Sequence, residues 1–244
     1  MLGRAARLLC LVMRMIAAFA GAVATAGTAH ADGCYTWTPT LSRGASGADV
    51  TQLQIRLGGY PGYGAVLAVD GSFGPATEAA LKHFQSVYGL TADGIAGPST
   101  YDKLDALQDD DCTPVHFTYA ELNDCNSTWS GGAVSASTAK ANALRTMWKL
   151  EAVRHALGGR PITVTSGFRS YACNEAVGGA SGSRHLHGDA ADLGAGPHSL
   201  CTLAGQARYH GFSGILGPGY PGHDDHTHVD HRSSQYWSAP ACGI

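Results

Sequence analysis

The sequence predicts two domains: a small all-α domain of three helices, then an α+β domain with a small antiparallel sheet. Three observations carry this reading. The pattern D-G-x-x-G-P-x-T occurs at residues 70–77 and again at 93–100. A stretch of helical periodicity over 138–157 precedes short β-branched segments that show no regular βαβ alternation. Between the two regions lies Asp109-Asp-Asp-Cys-Thr-Pro114, a short acidic run ending in proline, which suits a linker.

In each copy of the repeat, Asp-Gly makes a turn. Gly-Pro then opens a helix, with Pro75 or Pro98 at a first-turn position where no N–H is needed. Apolar residues follow at helical spacing: Leu81, Phe84 and Tyr88 after the first copy, Tyr101, Leu104 and Leu107 after the second. Upstream, Val50, Leu53 and Leu57 mark a third short helix that ends at Gly58-Gly59. In the second domain the helix over 138–157 has Leu144, Met147, Leu150 (or Trp148) and Leu157 for its buried side, and Gly158-Gly159 stop it. Pro161-Ile-Thr-Val-Thr165, Ala190-Ala-Asp-Leu193 and His228-Val-Asp230 read as strands.

The N-terminus reads as a signal peptide over residues 1–31. Arg4 and Arg7 make a basic start, an apolar run follows from Met15 to Ala26, and Ala29-His-Ala31 is an A-x-A cleavage site. The uninterrupted run is short for a bilayer span, and no later stretch is long and apolar enough to cross a membrane. Secretion, with no membrane attachment after cleavage, is the expectation. Removing the segment takes three arginines and no acid, so the formal net charge of −3 becomes more acidic. An acidic chain without a basic stripe argues against nucleic acid as a partner. Cys10 leaves with the signal, and six cysteines remain. An even number in a secreted chain implies disulfides. Sequence order suggests Cys34–Cys112, Cys125–Cys173 and Cys201–Cys242, the first clamping a domain too small to rely on its core alone. The domains are accordingly placed at 32–112, with a core over 41–107, and at 113–244.

The chemistry concentrates in Ser183-Arg-His-Leu-His-Gly-Asp-Ala-Ala-Asp192 and His223-Asp-Asp-His-Thr-His-Val-Asp230. Imidazole and carboxylate are zinc ligands, and a three-ligand site leaves a position for water. His185 and Asp192 are seven apart with Gly188 between them, a spacing for a loop entering a strand rather than for one helical face. The third ligand comes from His226 or His228, which share a face if they lie on a strand. Serine nucleophiles lack context: neither G-x-S-x-G nor S-x-x-K with K-T-G is present.

Two resemblances sharpen this. Residues 41–107 closely resemble the peptidoglycan-binding module of bacterial wall hydrolases, on Leu41-Ser-Arg-Gly, Val50-Thr-Gln-Leu-Gln-Ile-Arg-Leu, both copies of the repeat and Leu81-Lys-His-Phe-Gln. In the second domain Ser183, His185, Gly188, Ala190 and Asp192 match S-x-H-x-x-G-x-A-x-D. Ser166-Gly-Phe-Arg-Ser170 and the H-x-H element His226-Thr-His228 complete the likeness. This constellation resembles the zinc D-alanyl-D-alanine carboxypeptidases, a group that extends to lysostaphin-type endopeptidases and hedgehog domains, and no motif position departs from it. The resemblance implies one zinc per chain on His185, Asp192 and His228. It implies Asp225 as general base, His223 and His226 close to the metal, and Arg169 facing the substrate. The implied partners are peptidoglycan and its D-Ala-D-Ala stem peptides, outside the cell, with the protein expected as a monomer. Another wall endopeptidase on the same site, or a zinc-stabilised wall-binding protein without turnover, shares the ligand set. His187, Asp189, Asp230 and His231 read as supporting or surface groups. His83, His116, His155, His198 and His210 are given no function.

Overall fold

A computed structural model describes residues 34–123, 125 and 128–244. The expected signal peptide lies outside the described residues. The N-terminal region holds α1 (Ala48–Arg56), α2 (Pro75–Val87) and α3 (Pro98–Asp105). Their cluster is built from Val50, Leu53, Leu57, Leu81, Phe84 and Leu104, all fully buried, with Tyr101 beside them and Tyr88 and Leu107 packed at its margin. Pro75 and Pro98 open their helices as the repeat requires.

The repeat has a device that periodicity does not reveal. A glutamine from the preceding helix pins each turn. Gln54 Nε2 donates to Asp70 Oδ1 and Thr77 Oγ1, while its Oε1 accepts from the backbone of Asp70 and Gly71. Gln85 does the same at the second copy, donating to Asp93 Oδ1 and Thr100 Oγ1 and accepting from Gly94 N. The Asp and Thr of the pattern are therefore partners of one buried amide, whose polar atoms must all be satisfied.

The second region contains α4 (Ala136–Ala156), β1 (Thr163–Ser166), α5 (Tyr171–Ala176), a 3-10 turn at Arg184–His187, β2 (Ala190–Gly194), α6 (Leu200–Ala207), β3 (Gly214–Leu216), β4 (His226–Asp230) and β5 (Tyr236–Ser238). Ser135 caps α4 by accepting from Thr138 N. The five strands lie in the order β1-β2-β4-β3-β5. The sheet is not wholly antiparallel as expected: β5 runs parallel to β3 at one edge. β4 intervenes in sequence between these two, so β5 passes to the far side of β3 instead of closing a hairpin. β2, buried along its whole length, lies between β1 and β4, and α4 and α6 pack against the sheet.

α4 belongs to both cores. Met147, Leu150 and Val153 enter the cluster of the second region, while Ala152 enters the N-terminal one. The buried side is thus broader than the expected stripe, in which Leu144 and Leu157 are only partly buried. Where α1 ends, Gly59 lets α4 approach so closely that a side chain there would meet Ala152. Arg56, buried, lies over the rings of Trp37 and Trp148 and donates to Gln108; burial pulls its guanidinium down to about 10. His210 Nδ1 donates to Gly59 O at 2.7 Å, giving this histidine a structural role at the junction. Disulfides join Cys34 to Cys112, Cys125 to Cys173 and Cys201 to Cys242, the pairing expected from sequence order.

Candidate metal centre and its cleft

Strand register builds the site. β2 and β4 pair so that Asp192 lies directly opposite His228. The 3-10 turn before β2 ends at Gly188, whose φ of 71° is left-handed and whose missing Cβ leaves room for Ala139 of α4. That turn carries His185 over the same spot. His185 Nε2 lies 3.1 Å from both Asp192 Oδ1 and His228 Nδ1, and His228 Nδ1 lies 2.9 Å from Asp192 Oδ1. A tetrahedral zinc with bonds of about 2.0 Å sets its ligands about 3.3 Å apart, so these three atoms fit one ion. Among the described residues they form the one group with ligand atoms close enough to hold a metal.

The surroundings fit the same ion. His185 Nδ1 donates to Gly167 O at 2.5 Å, leaving Nε2 for the metal. Burial lowers the His185 pKa and favours the neutral imidazole that metal binding needs. Asp192 is also buried, but hydrogen bonds from His185 and His228 outweigh burial and hold it well below the usual carboxylate range. His228 Nε2 meets Asp230 Oδ2 at 3.0 Å. Burial opposes charge on His228, yet its bonds to Asp192 and Asp230 raise its pKa.

The Ser166–Ser170 segment has a use for every residue. Ser166 Oγ accepts from Arg169 Nε, Gly167 supplies the carbonyl that orients His185, and Phe168 is fully buried. Arg169 Nη2 donates to Asp192 Oδ2 at 2.6 Å, and Ser170 caps α5. Arg169, expected to face substrate, thus uses two of its three nitrogens on Ser166 and a metal ligand, while still lining the cleft.

The cleft measures about 600 Å³ and is walled by the 177–184 and 220–223 segments. His223 and His226 line it with ring centres 4.7 Å apart, and His223 is 6.0 Å from His228. Partial burial lowers the His223 pKa, and its Nδ1 donates to Pro221 O. His226 Nε2 is 3.6 Å from Asp192 Oδ1, while its Nδ1 is 2.7 Å from Asp225 Oδ1. The bond to His226 lowers the Asp225 pKa, and the Asp225 side chain is 90% exposed. Its neighbour Asp224 serves the loop, accepting from Gly219 N at 2.7 Å. Arg184 and Arg232 also line the cleft, tethered to Asp189 and Asp230. Sequence reasoning gave Asp230 only a general supporting place and missed Gly167 and Arg232. A carbonyl carries no side-chain signal, and Arg232 lies outside both motifs.

Comparison with known proteins agrees with this geometry. The family described as "Peptidase M15" matches residues 115–230, and the family described as "Putative peptidoglycan binding domain" matches residues 46–104. The zinc D-Ala-D-Ala carboxypeptidase of Streptomyces albus G is 66% identical over 233 residues, which span 96% of this chain and 91% of that protein. The spore cortex-lytic enzyme of Bacillus cereus is 48% identical over 67 residues, 26% of this chain and 24% of its own. Among solved structures, the SleB N-terminal domain is 43% identical, with 30% of this chain and 96% of that one covered and a TM-score of 0.27.

Proposed function

We propose, from the premise that the chain belongs to the Peptidase M15 family of zinc D-Ala-D-Ala carboxypeptidases, that it hydrolyses the D-Ala-D-Ala bond of peptidoglycan stem peptides. The single observation that carries this is the triangle of His185 Nε2, Asp192 Oδ1 and His228 Nδ1 at the floor of an open cleft, on a chain so close to a zinc carboxypeptidase. Zinc, when bound by these three residues, polarises a carbonyl and lowers the pKa of water.

The chain's own residues supply the rest. Asp225 accepts a proton from the attacking water and passes it to the nitrogen of the leaving D-alanine. Its Oδ1 holds His226, and Oδ2 is the oxygen left for the proton. His226 donates Nδ1–H to Asp225 and turns Nε2 toward the metal ligands, where it stabilises the developing oxyanion, a contribution of ~3 kcal/mol per donor in other enzymes. His223 lines the same wall and limits how the peptide sits. Arg169 positions Asp192 and, through its remaining guanidinium nitrogen, meets the terminal carboxylate of the substrate. The three-helix region, divided from the peptidase at 112/113, holds the wall polymer. The protein acts outside the cell as a monomer. No helix among the described residues is long and apolar enough to cross a membrane.

The test is release of D-alanine from an N-acylated L-Lys-D-Ala-D-Ala tripeptide, before chelation, after it, and after zinc add-back. Release that disappears with chelation and returns with zinc is expected. No release from zinc-loaded protein would overturn the carboxypeptidase reading in favour of a cross-bridge endopeptidase or a binding protein.

A further inference from the structure

A second cavity, of about 210 Å³, lies at the junction of the two domains, away from the metal centre. Ile55, Val66 and Val69 of the N-terminal domain form an apolar wall, and Arg145, Lys149 and His231 of the peptidase domain line the other side. Arg145 and Lys149 are four apart on α4 and therefore share a face. Lys149 is only 5% exposed, threaded between Gly58 and Gly211, and its Nζ donates to Gly211 O at 2.6 Å. No carboxylate forms an ion pair with Lys149 or Arg145 among the described residues. The acids closest in charge effect are Asp189 and Asp230, and these are already taken by Arg184 and by His228 with Arg232.

A buried ammonium with one carbonyl partner and two further N–H groups is a costly arrangement without a counter-charge. Burial pulls Lys149 down to about 7, with Arg145 adding to the effect. His231 is pushed well below its ordinary value by burial, then by Lys149 and Arg145. Arg145 and Lys149 bring two cations to one wall of a shared space, with the His231 ring beside them, and an anion would relieve their repulsion. The volume is below the roughly 300–1,000 Å³ of pockets for larger organic ligands. A guanidinium fork beside an ammonium matches the oxygens of a small oxyanion.

We propose that this cavity is an anion site that takes a phosphate-class oxyanion between Arg145, Lys149 and His231, and that its occupancy strengthens the contact between the two domains. The site is independent of the peptidase reading, because none of its residues touches the reacting atoms. The ligand is either free phosphate or a phosphodiester group carried by a polymer.

The experiment uses the zinc-loaded full chain with inorganic phosphate as probe, read by calorimetric titration and by the thermal unfolding midpoint, with chloride as the control salt. The wild type is expected to bind one phosphate per chain and unfold at a higher temperature. Arg145→Gln is expected to weaken binding about ten- to hundredfold and keep its peptidase rate. Lys149→Met should do the same, and Arg145→Gln alone decides should Lys149→Met fail to fold. A dialkyl phosphodiester run in parallel separates the sources: binding by phosphate alone points to the free ion, and binding by both points to the polymer-borne group. Undetectable phosphate binding by the wild type, or equal binding by Arg145→Gln, would overturn the site.

Discussion

His228 turns its two ring nitrogens to different carboxylates: Nδ1 faces Asp192, and Nε2 sits 3.0 Å from Oδ2 of the fully buried Asp230. Asp230 lies two residues further along β4 and is held in turn by Arg232. It therefore sets which nitrogen of His228 is left for the metal. Asp230→Asn keeps the shape and removes the charge. Zinc affinity, measured by competition with a chromophoric chelator, should fall about ten- to a hundredfold. An unchanged affinity would mean that Asp230 only fills space.

Asp224 and Asp225 are adjacent but differ in partners: Asp224 ties down the Gly219 backbone, whereas Asp225 bonds His226 beside the metal ligands. Asp225→Asn should lower kcat by about 10² to 10⁴ while one zinc per chain stays bound. Asp224→Asn should leave kcat within a few-fold of the wild type. The reverse ranking would transfer the base to Asp224.

Acid should loosen the N-terminal domain through its repeat. A side-chain bond from Gln54, then the Ser72 backbone, lowers the Asp70 pKa; the Ile95 backbone, then Gln85, lowers that of Asp93. A carboxylate with a depressed folded pKa contributes stability above its unfolded value of about 3.9, and loses it as pH falls through the folded one. Chemical unfolding at about pH 5 and about pH 3 should show a smaller drop in Asp70→Asn/Asp93→Asn than in the wild type. Equal drops would place the acid sensitivity elsewhere.

At Gly59 the two domains are in close contact. A valine there must displace Ala152 or the backbone of α4. We expect Gly59→Val to destabilise by about 1–3 kcal/mol and to expose the 109–115 segment to limited proteolysis. A variant as stable and as resistant as the wild type would show that the junction yields freely.

Much of this was legible along the chain, and what was missed has identifiable causes. The three short helices announced themselves through Pro75, Pro98 and apolar spacing, because capping and burial act over a few neighbouring residues. Gln54 and Gln85 lie in segments that carry the resemblance, but their role was not legible, because a buried amide that pins a turn looks like any helical polar residue until the turn folds back on it. β3 and β5, three residues each, are too short to show alternation, and the parallel pairing of β5 has no local signal at all. α4 was read as having one buried side because periodicity assumes a single core, and here a second domain covers part of the rest.

The metal centre divides the same way. Ligand types and their spacing are local chemistry, so His185, Asp192 and the His226/His228 pair were identifiable from the chain alone. Which histidine faces the ion was decided by the β2–β4 register that sets Asp192 opposite His228, and by Asp230 behind it. The resemblance singles out Asp225 over Asp224, and the contacts of the two side chains differ accordingly: Asp224 bonds the Gly219 backbone and Asp225 bonds His226. Residue type determines what a group is able to do, whereas strand register and burial, which depend on segments distant in sequence, determine which atom it presents and at what pKa.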